Sequence, residues 1–167
     1  MKKAFLVITE YLLLFMLAAC IGWLYEIGCV YVMFHEYQDR GVLHLPMCPI
    51  YGFGLLFLLL VFRNRKNIFL LFFGSAAITT VIEFVSSYAI EHFLHESLWT
   101  YEDWPLQYQG RISAVSSAMF GLLATLFLRL VRPPVAKLFK SRARIAAAVF
   151  TLAVAVFCVI WELRFRV

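Results

Sequence analysis

Apolar residues fall in five long runs, at 5–34, 46–62, 68–93, 112–131 and 145–161, and polar residues collect between them. A helix needs roughly 20 mostly apolar residues to cross a hydrocarbon core, and these runs reach or approach that length. The pattern predicts an all-α polytopic membrane protein of about five transmembrane helices, built as a single membrane domain over residues 1–167. The first run exceeds what a span requires, so it tilts or projects beyond the bilayer. The second is short and opens on Pro46-Met47-Cys48-Pro49. Proline suits a first helical turn, where its missing N–H has no intrahelical acceptor. The backbone there is expected to be irregular, which lipid tolerates only where protein or water shields it.

Composition strengthens this reading. Of the 167 residues 63% are hydrophobic and 15% charged, against about 45–50% and about 25% in a soluble domain. So small a domain cannot bury that surplus in one core. Lys2-Lys3 followed by an apolar run ending at Cys20 has the outline of a lipoprotein signal. Glu10 interrupts the run, however, and the chain continues as Ile21-Gly22-Trp23-Leu24, so an uncleaved helix is expected.

The net charge is +5. With the N-terminus inside, eleven Lys and Arg fall on inner segments and four (Arg40, Arg111, Arg164 and Arg166) on outer ones. The positive-inside rule places the N-terminus in the cytoplasm and the C-terminus outside, in a multi-pass protein of the plasma (inner) membrane. Trp99, Tyr101, Trp104, Tyr108 and Trp161 then lie at the outer interface, where aromatic rings concentrate. The basic charge therefore belongs to topology, and nucleic acid is not an expected partner. The segment 133–140 is either a short basic amphipathic turn on anionic lipid or a loop. No internal repeat is evident.

Nine of the ten acidic residues lie on the outer side, and two of them, Glu26 and Glu83, sit inside spans. A charge at the bilayer centre costs on the order of 2.5–3.5 kcal/mol on insertion scales, so each should face a partner or a wet cavity. On the third run Thr79, Glu83, Ser87 and Glu91 recur every fourth residue; on the fourth run Ser113, Ser117, Gly121 and Thr125 do the same. Small residues at that spacing let helices approach closely in lipid. The pair reads either as a hydrogen-bonded packing seam or as a polar cavity open outward. Arg111 is a candidate counter-ion for Glu83, Glu91 or Glu26.

Other chemistry is sparse. His92 and His95 share an i, i+3 spacing that divalent metals use, but the interval matches no strong zinc pattern, so neither metal nor any other cofactor is assigned. Gly52-Phe53-Gly54 lies in a span, without the strand or Gly-Lys-Ser/Thr of a phosphate loop. No catalytic nucleophile is identifiable. Cys20, Cys29, Cys48 and Cys158 read as packing residues, with a Cys29–Cys48 bridge left open.

The ordered motifs Gly22-Trp23-Leu24-Tyr25-Glu26, Asp39-Arg40-Gly41, Pro46-Met47-Cys48-Pro49-Ile50-Tyr51-Gly52-Phe53-Gly54, Trp99-Thr100-Tyr101, Gly110-Arg111-Ile112 and Ser117 through Gly121 resemble the ABC-transporter type IV permease family of CmpB type. The likeness covers about residues 20–125. Asp39, Leu45, Thr100, Gln107 and Gln109 depart from the family's usual residues. The resemblance implies transport and singles out Glu26, Arg40, Tyr51, Glu83, Trp99, Tyr101 and Arg111. Joined to the polar stripe, the candidate pocket set is Glu26, Arg40, Tyr51, Glu83, Ser87, Glu91, Trp99, Tyr101, Arg111, Ser113 and Ser117, with no catalytic residue. An ABC permease implies a separate ATPase and a second membrane subunit or a homo-oligomer beside the lipid bilayer. The competing readings are an intramembrane enzyme acting on a lipid-linked substrate and a non-catalytic accessory protein.

Overall fold

A computed structural model describes residues 2–35, 43–62, 65–95, 97 and 99–165. The helices are α1 (Lys2–Phe34), α2 (Pro49–Val61), α3 (Ile68–Leu94), α4 (Ala114–Leu126), α5 (Arg132–Leu138) and α6 (Arg144–Phe165), and two short strands, β1 (Gln107–Tyr108) and β2 (Ile112–Ser113), pair antiparallel. Among the described residues four helical stretches are long and apolar enough to cross a membrane: Lys2–Cys29, Ile68–Phe93, Ala114–Leu138 and Arg144–Phe165. The protein is thus an α-helical membrane protein. The second apolar run gives a helix of only 13 residues, about 20 Å at 1.5 Å per residue, short of a core about 30 Å thick.

The reason lies in Leu43 to Cys48, where the chain is not helical. The Cys48 N–H donates to the Ala19 carbonyl at 3.0 Å, which fixes this lead-in beside the middle of α1. An irregular segment at that depth must satisfy its own donors. Pro46 and Pro49 carry no N–H, Met47 donates to the Leu45 carbonyl at 2.7 Å, and His44 donates to the Glu162 carboxylate at 2.9 Å. The two prolines shorten the helix and also remove donors that would otherwise lack acceptors.

Close contacts divide the chain into two compact units, residues 1–56 with 130–167, and residues 57–129. In the first, α1 packs against α5 and α6, and Leu14, Ala18, Ala19, Ala148 and Thr151 are buried. Backbone approach is tight: a Cβ on Gly22 would lie 2.2 Å from the Tyr51 ring, and one on Gly52 2.5 Å from Phe15. Much of the apolar surface of α6, including Val149, Phe150, Val156 and Ile160, faces outward from the protein, as lipid-facing helices do. Cys20, Cys29, Cys48 and Cys158 are free thiols, so no Cys29–Cys48 bridge forms.

In the second unit α3 and α4 form the main helix pair. Asn67 caps α3, its side-chain oxygen accepting from the Phe69 and Leu70 N–H groups at 2.9 and 3.2 Å. Asn67→Ala should lower stability by about 1 kcal/mol, the usual worth of such a cap, read as a lower melting temperature in detergent. The hydrophobic run after Ser113 extends further than 131: a widened π turn at Phe127–Val131 joins α4 to α5. Pro133 and Pro134 cannot donate to the carbonyls of Arg129 and Leu130, and a π turn just before them is a common local adjustment to such a gap. The segment 133–140, read as a loop or a turn on lipid, is therefore mostly helix, with Val135 and Phe139 buried.

Candidate functional site

The polar residues of the second unit converge where α3 ends and α4 begins, and the β1–β2 hairpin holds them there. Its turn depends on Gly110, which has φ +65° and no room for a side chain, a Cβ falling 3.0 Å from Glu102 and 3.2 Å from the Thr100 hydroxyl. Glycine adopts that conformation at little cost. Gln109 and Leu106 also take positive φ, 54° and 53°, an unfavourable state that surrounding contacts must enforce. Those contacts are visible: Gly110 N–H to Gln107 Oε1 at 2.7 Å, Tyr101 N–H to the Gly110 carbonyl at 2.7 Å, and Tyr88 O–H to Gln109 Oε1 at 2.6 Å.

Arg111 leaves this turn directed at α3. Its guanidinium bonds Glu91, reaches the Ser87 hydroxyl at 3.3 Å and lies 3.9 Å from the centroid of the Tyr88 ring. The Glu91 hydrogen bond and charge raise the Arg111 pKa further above its ordinary value. The Trp99 indole N–H donates to the Arg111 carbonyl at 3.2 Å, anchoring the backbone as well. Arg111 therefore has a fixed cationic head. Its side chain is 22% exposed and that of Glu91 51%.

Glu83, one helical turn below Ser87, has different partners. It is 9% exposed and accepts from the Tyr101 O–H at 2.6 Å and from Ser116 at 3.5 Å. Ser113 caps α4: its hydroxyl accepts from Val115 N–H at 3.2 Å and donates to the Pro105 carbonyl at 3.0 Å. Ser117 donates to the Ser113 carbonyl at 2.8 Å and accepts from Thr80 at 2.6 Å.

The every-fourth-residue stripe needs one adjustment. Thr79 turns its hydroxyl back to the carbonyls of Ser75 and Ala76, and Thr80 makes the bond to α4. At about 100° per residue, each step of four rotates the line by about 40°. Thr79 consequently drifts away from Ser87 and Glu91, while Thr80 falls between them in angle. Ser116 and Tyr88, also absent from the candidate set, lie at i+3 from Ser113 and i−3 from Glu91, the other helical neighbour spacing.

Of the remaining candidates, Glu26 and Tyr51 meet in the first unit, the Tyr51 O–H donating to Glu26 at 2.5 Å. Arg40 lies outside the described residues. His92 stacks edge-on with Phe93, whereas His95 ends α3 in the left-handed conformation, φ 57°, and so leaves the helical path that an i, i+3 ligand pair requires. Among the described residues no group of three or more His, Cys, Asp or Glu is placed to hold a metal ion.

A family model matches the chain. The family described as "Putative ABC-transporter type IV" (ABC_trans_CmpB) aligns over residues 13–163, so the likeness extends beyond 20–125 and takes in most of α6. No curated protein and no solved structure matches the chain. With nearly its whole length covered, the chain belongs to the ABC-transporter type IV family of CmpB type.

Proposed function

We propose that the protein is the membrane component of a transport system, and that the cluster around Arg111 binds an oxyanion-bearing small solute or lipid headgroup from the outer side. The observation that carries this reading is the contrast around one cation. Arg111 is oriented by Tyr88, Ser87 and the hairpin backbone, yet its carboxylate partner Glu91 is half exposed. An incoming carboxylate or phosphate could replace Glu91 on the same guanidinium fork, a geometry that suits planar and tetrahedral oxyanions. Glu83 and Tyr101 would hold the loop that delivers Arg111. Energy would come from a separate ATPase, since no nucleotide-binding motif is present in the chain.

Family membership supports transport in general. The alternative role, an accessory protein whose polar seam only fixes packing, is favoured for Glu83, whose partners are internal. Thermal melting separates the two, because a ligand that binds only the folded state raises the melting temperature. Inorganic phosphate, acetate and glycerol 3-phosphate are the probes. At least one should raise the melting temperature of the wild type. Arg111→Ala should abolish the rise, and Arg111→Lys should keep part of it, retaining charge without the fork. Arg111→Ala alone should change the melting temperature little, as expected for a partly exposed pair. No rise with any probe, or an equal rise in Arg111→Ala, would leave the packing role as the better account.

A further inference from the structure

The first unit holds a groove of about 360 Å³ between α1, the lead-in to α2 and α6. Leu12, Phe15 and Met16 form one wall, Leu45 and Met47 another, and Val159 with Leu163 the third. Among the described residues Glu162 is its one charged lining residue. The groove opens at the protein surface, where Val159 and Leu163 are exposed. Ordered water is a poor filler, because a water needs two to four polar partners, and the walls offer almost none.

Three observations say what covers it. The groove is continuous with the outward apolar face of α6, since Val159 lines it and is also 59% exposed, with Val156 and Ile160 beside it. Its polarity is graded: the wall of α6 runs from Ala155 to Leu163, about 12 Å, and among the described residues the charged group lies toward the second end. There the Glu162 carboxylate takes the His44 N–H at 2.9 Å and lies 3.4 Å from the His44 ring, which is itself 54% exposed and stacked on Phe165. Finally, the His44, Met47 and Cys48 N–H groups all bond within the protein, so the lead-in offers the groove mainly side chains. A long apolar slot with one polar end, opening on a lipid-facing helix, has the shape of an amphiphile.

We infer that this groove is a binding site for one acyl chain of a bilayer phospholipid, with the headgroup at His44 and Glu162. The chain fills the space beside the non-helical lead-in and holds that segment against α1 and α6. This site is independent of the Arg111 cluster and of the function proposed for it.

The test uses the full chain, stripped of lipid in detergent and titrated with dioleoyl phosphatidylcholine. Binding is followed by native mass spectrometry and by melting temperature. Wild type should retain one lipid preferentially and melt higher as that site fills. Val159→Trp should fill the slot and weaken retention on the order of tenfold, while melting like the wild type without lipid. Leu163→Trp provides a second blocking position, also outward-facing, should the first variant fold poorly. Val156→Trp is outward on the same helix but lines no part of the groove, and should retain the lipid as wild type does. Unchanged retention in the foldable blocking variant, or equal loss in Val156→Trp, would overturn the assignment. So would stabilisation that follows protein concentration without lipid, which would mean that a second copy of the chain covers the groove.

Discussion

Gly121→Leu should be among the most damaging single substitutions in the second unit, lowering stability by about 3 kcal/mol or more, as overpacking at a backbone contact does. A Cβ at this position would lie 2.8 Å from the Phe72 carbonyl oxygen and 2.9 Å from the Ala76 Cβ. Neither atom is the tip of a flexible side chain, so α3 and α4 would have to separate. Their separation would also stretch the Thr80–Ser117 bond, which spans only 2.6 Å. For a protein of this size the loss corresponds to a fall in melting temperature of roughly 6–12 °C. Gly54→Ala is the matched control. Nothing lies within 4 Å of its added Cβ, and alanine in a helix interior is favoured over glycine by about 0.5–1 kcal/mol. The two variants should therefore shift the melting temperature in opposite directions. A fall of similar size in both would show that glycine content, and not the α3–α4 approach, sets the response.

Glu83→Ala should have the other large effect, a loss of about 2–3 kcal/mol. The half-buried Tyr101 hydroxyl would lose its bond to the carboxylate, and a hydrogen bond to a charged group is worth about 1.5–3 kcal/mol; the missing side-chain volume adds to that. Glu83→Gln keeps an oxygen facing Tyr101 and should cost under about 1 kcal/mol. The consequence reaches Arg111 through the backbone, because Tyr101 N–H is bonded to the carbonyl of Gly110, the residue before Arg111. Glu83→Ala should thus weaken oxyanion binding at the Arg111 cluster even though Glu83 does not touch that arginine in the hydrogen bonds described. A cycle of Glu83→Ala, Tyr101→Phe and the double variant measures the coupling directly. Additive losses would separate the two residues, and the hairpin would then need another anchor. A Glu83→Ala variant that melts like the wild type would refute the account of this carboxylate as a structural acceptor.

Glu26 repeats the arrangement in the first unit. Glu26 and Glu83, the two outer-side acids placed inside spans, each accept a short bond from a tyrosine hydroxyl, Glu26 from Tyr51 and Glu83 from Tyr101. The energetic argument from sequence, that a carboxyl inside a span needs a partner, is met each time by the same residue type. Tyrosine suits the task, since an apolar ring packs among neighbours while its hydroxyl supplies the donor.

Amino-acid order alone determined the membrane class, the approximate positions of four long apolar helices and the residues that interrupt them. Those properties are sums over a window or single strong exceptions to it, so they survive without knowledge of the fold. The sequence also brought Glu83, Ser87, Glu91 and Arg111 into one candidate set, because helical spacing defines a face. Tertiary structure decided the pairing within that set. Arg111 could have matched any of three acids by charge, and a hairpin turn at Gly110 with three consecutive geometric constraints (Gln109, Gly110 and the Trp99 anchor) directs it to Glu91. Tyr101 reaches Glu83 across 18 residues of chain, a separation that no local period encodes. The substitution of Thr80 for Thr79 in the α3–α4 contact follows from the 40° drift of an every-fourth-residue line, which matters only once a neighbouring helix fixes the direction of the face. The second apolar run shows the same division. Its composition marked a hydrophobic segment and its prolines an irregular start, but the bond from Cys48 to Ala19 decided where the helix could begin, because a backbone donor at that depth must find an acceptor within the protein.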